Sequence, residues 1–335
     1  MQKGLTYDDV LLVPQYSDIE SRSEVSLTTD LGRGVELGLP IIASPMDTVS
    51  EADMAGSLGE LGGISIIHRY NSIEEQTAMI ASIGGNTLVG AAVGVSGDFA
   101  DRAVSAVAAG AKVICIDVAH GHHILVKKAI KKIRKVLPNI HIMAGNVATL
   151  EGFNDLADWG ADSIRCNIGG GSICTTRIQT GHGVPGIETI LQCAKSDRDA
   201  KIIADGGIKN SGDIVKALAA GADAVMLGSL LAGTDCSPGT IFKTETGELR
   251  KTYRGMASAA AQRDWRGRVS SCEGVSSSVP YRGKLAEVVK ELERGIRSGL
   301  SYSGARSVKE LQAKAQWLQQ SSASATESSA HIRLR

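Results

Sequence analysis

The chain predicts an α/β fold of the (β/α)8 barrel class, and three observations carry that prediction. Eight short runs rich in apolar and β-branched residues recur along its 335 residues, each followed by a turn and then a helical pattern. The runs are continuously apolar rather than alternating, as parallel strands buried on both faces are. The intervals between them are long enough for a crossover helix.

The first strand is expected at 40–43 (Pro40-Ile41-Ile42-Ala43) and the second at 63–67, where Ile64, Ile66 and Ile67 crowd together. The third runs from Leu88 to Val95, the fourth over 112–117 and the fifth over 140–145. The sixth covers 163–168, the seventh 201–205 and the eighth 224–228. Between them, 100–109, 126–137 and 212–221 place apolar residues at helical spacing. A doubly wound parallel sheet shares this alternation, but eight units favour a closed TIM barrel. A phrase close to Ala-Gly-Ala-Asp precedes three of the strands, at Ala109-Gly110-Ala111-Lys112, Trp159-Gly160-Ala161-Asp162 and Ala220-Gly221-Ala222-Asp223. Glycine there suits a left-handed helix C-cap. The barrel domain is expected to occupy 1–318, and the Ser-rich segment 319–335, lacking apolar periodicity, to be disordered.

Composition excludes several roles. Lys plus Arg (36) balances Asp plus Glu (36), so no net charge draws the chain to nucleic acid or an anionic membrane. No stretch reaches the roughly 18 consecutive apolar residues of a membrane span. The first residues lack a basic region followed by an apolar one, which makes the cytoplasm the expected location. The six cysteines contain no C-x-x-C pair, against both a disulfide framework and a zinc ribbon.

Catalytic residues of such barrels gather at the C-terminal ends of the strands. There the sequence offers His68-Arg69-Tyr70, Asp117-Val118-Ala119-His120-Gly121-His122-His123, and Gly145-Asn146-Val147. Strand six leads into Gly169-Gly170-Gly171-Ser172-Ile173-Cys174-Thr175-Thr176-Arg177, three glycines before a lone cysteine. Such a loop brings backbone close to a ligand while presenting a nucleophilic thiol. Asp205-Gly206-Gly207 and Gly228-Ser229 follow strands seven and eight, where barrels commonly hold a phosphoryl group. His120, His122 and His123 lack the i, i+4 spacing of helical metal ligands.

The chain resembles the IMP dehydrogenase and GMP reductase family over nearly all its length. The matching strings are 4–12, Ser44-Pro45-Met46-Asp47-Thr48-Val49, Ala144-Gly145-Asn146-Val147-Ala148-Thr149, 171–177, Ala204-Asp205-Gly206-Gly207-Ile208 and Tyr253-Arg254-Gly255-Met256. The resemblance implies a TIM barrel, usually a homotetramer, acting on a purine nucleoside 5′-monophosphate with a nicotinamide cofactor. Only 70–88 lies where dehydrogenases of the family generally insert CBS modules, so a single domain without that insert is expected. Carried over, Cys174 would attack purine C2, Thr176 would take part in proton transfer, and Asp117, with Ala119 and Thr176, would meet the nicotinamide. Arg69 and Arg177 are expected close to the thiolate. Ser172, Gly206, Gly207, Gly228, Ser229 and Tyr253 would hold the phosphate and Asp205 the ribose. The backbone of Gly255, Met256 and Ala257 would reach the base, Glu273 its N1 edge. Carbonyls of Gly169, Gly171 and Cys174 would face a potassium ion.

The flap expected at 254–280 discriminates the two reactions. It is short and lacks the adjacent Arg-Tyr pair with which a dehydrogenase activates water; its nearest string is Arg263-Asp264-Trp265. This favours GMP reductase, converting GMP to IMP and ammonia with NADPH. The alternative is an IMP dehydrogenase using NAD, which Arg69 in place of Lys and Ser270 in place of Arg resemble more. A catalytically inactive nucleotide-binding barrel and a phosphate-binding lyase barrel are further alternatives, and both predict no nicotinamide-linked turnover.

Overall fold

The computed structural model describes residues 3–84, 87–270 and 272–328. All eight expected runs form strands: β1 Ile41–Ala43, β2 Ile64–Ile67, β3 Val89–Val93, β4 Val113–Asp117, β5 His141–Val147, β6 Ser163–Cys166, β7 Lys201–Asp205 and β8 Ala224–Leu227. Each pairs in parallel with its sequence neighbours, and β8 closes on β1 through Val225 opposite Ile41, Met226 opposite Ile42 and Leu227 opposite Ala43. The doubly wound alternative is thereby excluded. Closure leaves no free sheet edge.

Eight helices form the outer ring: α1 Ala52–Glu60, α2 Ile73–Ile83, α3 Phe99–Ala108, α4 Ile124–Val136, α5 Leu150–Trp159, α6 Gly186–Cys193, α7 Ser211–Ala219 and α8 Leu285–Tyr302. Side-chain caps fix several starts: Ser72 accepts from the Glu75 N–H, Thr149 from Gly152 and Asn210 from Asp213. The repeated Ala-Gly-Ala phrase ends helices as expected, with φ of +123° at Gly110, +113° at Gly160 and +118° at Gly221. Between β2 and β3 the chain holds α2 and no inserted module.

Two cores follow from the closed sheet. Ile42, Ile64, Ile66, Val113, Met143 and Met226 fill the barrel interior, where Leu31, Val35 and Leu37 join them. Those three belong to a small hairpin, Thr29–Asp30 with Glu36–Leu37, whose Gly32 carbonyl meets the ring of His141 at the start of β5. The hairpin therefore stoppers the N-terminal end and leaves the opposite end open. A larger core lies between strands and helices, with Phe153 its bulkiest fully buried member.

One region departs from expectation. The supposedly disordered tail is built into the fold as far as Ser328: Trp317–Gln319 pairs antiparallel with Val10–Leu12, and Ser322–Glu327 is helical. Local chemistry suffices without apolar periodicity, because Gln320 bonds the Asp8 and Asp9 carbonyls and Ser321 caps the helix. Residues 329–335 lie outside the described residues. The flap expected at 254–280 is built on a small three-stranded sheet and a helix. Leu249–Arg254 pairs with both Ile241–Lys243 and Ser276–Pro280, and a helix, Ala259–Arg266, starts on the Ser258 cap.

Candidate active site

The open end of the barrel holds a cavity of about 590 Å³ into which the site residues expected from sequence open, Arg177 excepted, from Arg69 and Asp117 through Cys174 and Asp205 to Glu273. It is built from strand ends and from the flap.

The thiol loop leaves β6 at Asn167, whose φ of +140° turns the chain sharply. The Cys174 N–H donates to the Gly171 carbonyl at 3.1 Å, so the last of the three glycines opens the turn that carries the thiol. The Thr175 N–H donates to the Glu273 carbonyl at 2.9 Å and the Val275 N–H to that of Ile173 at 3.0 Å. These bonds lay the flap's return segment along the loop. In consequence the Cys174 thiol donates to the Thr176 hydroxyl at 3.2 Å, and that hydroxyl donates to the Glu273 carboxylate at 2.8 Å. Thiol, hydroxyl and carboxylate form a continuous path for a proton.

Beside the thiol lies a buried ionic cluster that sequence reasoning missed. Arg165, the one charged residue of β6, bonds Asp117 at 2.5 Å and Asp205 at 2.8 Å. Asn146 donates to the same Asp205 oxygen at 2.8 Å. Burial pushes the Asp117 carboxyl up, but the Arg165 and Arg69 guanidiniums outweigh it and hold it below the usual range. Burial opposes the charge on Arg165 too, yet its two carboxylates keep it firmly protonated. The signal was available in the sequence: a charged side chain inside a barrel strand must find a partner.

The wall formed by the turns after β7 and β8 suits a phosphate. Gly206 and Gly207 adopt φ of +88° and +78°, a region that favours glycine. A Cβ on Gly228 would stand 2.7 Å from the Tyr253 hydroxyl. Tyr253 is buried, which pushes its hydroxyl up to about 12 against the opposing hydrogen bond from Ser172. Ser44 and Met46, also unforeseen as site residues, complete this wall.

The flap forms the roof, with Gly255, Met256, Ala257, Gln262, Arg266 and Ser270 facing the cavity. Tyr70, another residue given no role from sequence, donates to the Met256 carbonyl at 2.8 Å. A second, smaller cavity of about 320 Å³, lined by Ser96, Asp98, Arg102 and Trp265, shares Arg69, Val118 and Arg266 with the first.

Two expectations need correction. Arg177 does not reach the thiol: its guanidinium donates to the Val184 carbonyl at 2.8 Å, packed over Gly169 and Gly183. Arg69 is turned to the Asp117 carboxylate (3.6 Å) and the Asp117 carbonyl (3.2 Å) rather than to Cys174. The histidine cluster is divided among other tasks, His122 bonding Asp155 at 2.8 Å and His123 capping α4. No group of three His, Cys, Asp or Glu side chains suited to a metal ion stands among the described residues.

Residues 4–331 match the model of the IMP dehydrogenase / GMP reductase domain. The chain is 33% identical to the inosine-5′-monophosphate dehydrogenase of Nitrosopumilus maritimus, over 98% of each chain. It is 32% identical to the GMP reductase of Leishmania major, over 99% of this chain and 97% of the other. In structure it is similar to a cysteine-to-alanine variant of the GMP reductase of Trypanosoma brucei in complex with guanosine 5′-monophosphate, with a TM-score of 0.95, 33% identity and coverage of 100% and 99%. The barrel, the thiol loop and these likenesses agree: the chain belongs to the IMP dehydrogenase / GMP reductase family, whose members are purine nucleotide oxidoreductases.

Proposed function

We propose that the chain is a GMP reductase, deaminating GMP reductively to IMP and ammonia. The observation that carries this reading is the Cys174–Thr176–Glu273 path beneath a flap that contains no adjacent Arg-Tyr pair. A relay of this kind moves a proton to a departing amine, whereas hydrolysis needs a group that activates water. The similarity to a reductase solved with GMP supports the same choice.

In the proposed sequence, Cys174 passes its proton through Thr176 toward Glu273, and the thiolate forms a bond to purine C2. The 2-amino group accepts a proton along the same path and leaves as ammonia, breaking the C2–N bond and leaving a thioimidate. NADPH, when bound, supplies the hydride that C2 accepts. The C2–S bond then breaks, returning the electron pair to Cys174 and releasing IMP. Asp205 suits a ribose hydroxyl and the Gly206, Gly207, Gly228 and Tyr253 wall the 5′-phosphate. Asp117, Ala119 and Thr176 line the same cavity and would meet the nicotinamide, with the adjoining cavity past Arg69 taking the dinucleotide's far half. The carbonyls of Gly169, Gly171 and Cys174, in the loop that lines the cavity, would face a monovalent cation; potassium dependence of the rate tests that assignment.

One observation favours the second reading, an IMP dehydrogenase: Arg266 of the flap faces the cavity, where a guanidinium can polarise water. Absorbance of the reduced nicotinamide separates the two. Consumption of NADPH with GMP, yielding IMP and ammonia, is expected. Formation of NADH from IMP and NAD, with no GMP-dependent NADPH consumption, overturns the assignment.

A further inference from the structure

Tyr70 follows β2 in a position to which the motif resemblance gave no role, yet contacts from three parts of the site converge on it. Its hydroxyl donates to the Met256 carbonyl at 2.8 Å. Its ring stacks on that of Trp265, centroids 5.8 Å apart and planes 14° from parallel. The Arg69 and Arg266 guanidiniums lie 5.7 and 5.9 Å from the ring centre. Met256, Trp265 and Arg266 belong to the flap, while Tyr70 and Arg69 stand on the barrel.

These contacts act on the part of the flap that is to meet the base. A peptide unit is planar, so fixing the Met256 carbonyl also fixes the direction of the Ala257 N–H. The next carbonyl, of Ala257, accepts from the Gln262 side chain at 2.9 Å, and Gln262 in turn accepts from Ser270. Tyr70 thus sets one peptide plane from the barrel side, and the flap helix sets the next from above. The stacked Trp265 joins the two, since the helix cannot leave the barrel without separating the rings.

We propose that Tyr70 is a positioning residue that couples nucleotide binding to the seating of the Ala259–Arg266 helix: its hydroxyl holds the base-facing backbone, and its ring holds the helix. The proposal rests on the reading above that Met256 and Ala257 meet a purine base, but not on which reaction follows.

The two parts of the side chain can be separated. In Tyr70→Phe the ring stays and the carbonyl loses its donor. The expected result is about a fivefold weakening of GMP and IMP binding, the loss of one hydrogen bond, with kcat and the cofactor KM changed less than twofold. In Tyr70→Ala the stack is lost as well. With Trp159 and Trp317 replaced by Phe, Trp265 becomes the sole tryptophan reporter. Its fluorescence is expected to respond to GMP in the parent and in Tyr70→Phe, but not in Tyr70→Ala. Unchanged nucleotide affinity in Tyr70→Phe, or an unchanged GMP response in Tyr70→Ala, overturns the proposal. Binding is measured without cofactor, so a failure of the reductase assignment appears in turnover alone and leaves this test intact.

Discussion

The Thr176 hydroxyl donates to the Glu273 carboxylate at 2.8 Å across 97 residues of sequence, joining the thiol loop to the flap. Gln at 273 would preserve an oxygen acceptor for this bond while removing the capacity to take a proton. Glu273→Gln is therefore expected to lower kcat about 10²- to 10³-fold, the range of a lost general acid–base group, and to leave nucleotide binding within a few-fold of the parent. Steady-state kinetics paired with equilibrium binding of GMP checks this. A variant that keeps a third of the parental kcat would remove Glu273 from the proton path.

How far the sequence could be read differs between the two halves of this contact. The eight strands were visible because continuous runs such as Val113–Ile116 and Ile202–Ala204 admit little else once turns bound them. The thiol loop was visible because three glycines before a cysteine are chemically unusual. What escaped were relationships between elements. Arg165 stands in a run indistinguishable by periodicity from its neighbours, and only closure of the barrel brings Asp117 and Asp205 to it. Tyr70 was present in the expected loop, but its role depends on a flap helix that polar composition concealed. Arg177 erred in the other direction, since proximity in sequence to Cys174 did not put the guanidinium beside it.

The Arg165 cluster makes a stability prediction. Replacing Arg165 with Met keeps most of the volume, leaves the Asp205 carboxylate without its cation and leaves Asp117 with Arg69 alone, at 3.6 Å. A loss of about 3–5 kcal/mol is expected at neutral pH, as for other broken buried ion networks. The sign with pH is set by the same carboxylates. In the parent, Asp117 titrates below its unfolded value of 3.8, so its contribution is present above that pH and disappears as acid protonates it. In the variant, burial still pushes the Asp117 carboxyl up while the larger of its two guanidinium counterweights is gone, so the deficit should shrink as pH falls from 7 toward 5. Denaturant unfolding at both pH values tests this, and a deficit that grows in acid contradicts it.

Gly228 tests the phosphate wall. Its backbone, with φ −110°, is open to any L residue, so alanine introduces no local strain. The new methyl would instead stand 2.7 Å from the Tyr253 hydroxyl and 3.4 Å from the Met46 sulfur, forcing the buried ring outward. Gly228→Ala is expected to weaken nucleoside monophosphate binding about tenfold, equivalent to about 1.4 kcal/mol. Binding of the nucleoside lacking phosphate should change less than twofold. Equal losses for nucleoside and nucleotide would show that this wall does not face the phosphate.

At the far end of the barrel, His141 predicts how stability depends on pH. Its Nδ1 lies 3.2 Å from the Gly32 carbonyl, which can only accept, so Nδ1 carries the proton. Nε2, 2.8 Å from the Ser163 hydroxyl, is then the acceptor, and the ring is neutral. Burial holds its pKa below the ordinary 6.5, outweighing the attraction of nearby Asp162. Below pH 6.5 the unfolded chain therefore takes up a proton that the folded chain refuses, and stability falls with pH by up to about 1.4 kcal/mol per unit until the folded pKa is reached. Glutamine can donate to Gly32 and accept from Ser163 without titrating. His141→Gln should consequently flatten the change in urea midpoint between pH 7.5 and 5.5. A variant that retains the full parental slope would place the responsible proton elsewhere, because no other change in that substitution alters titration.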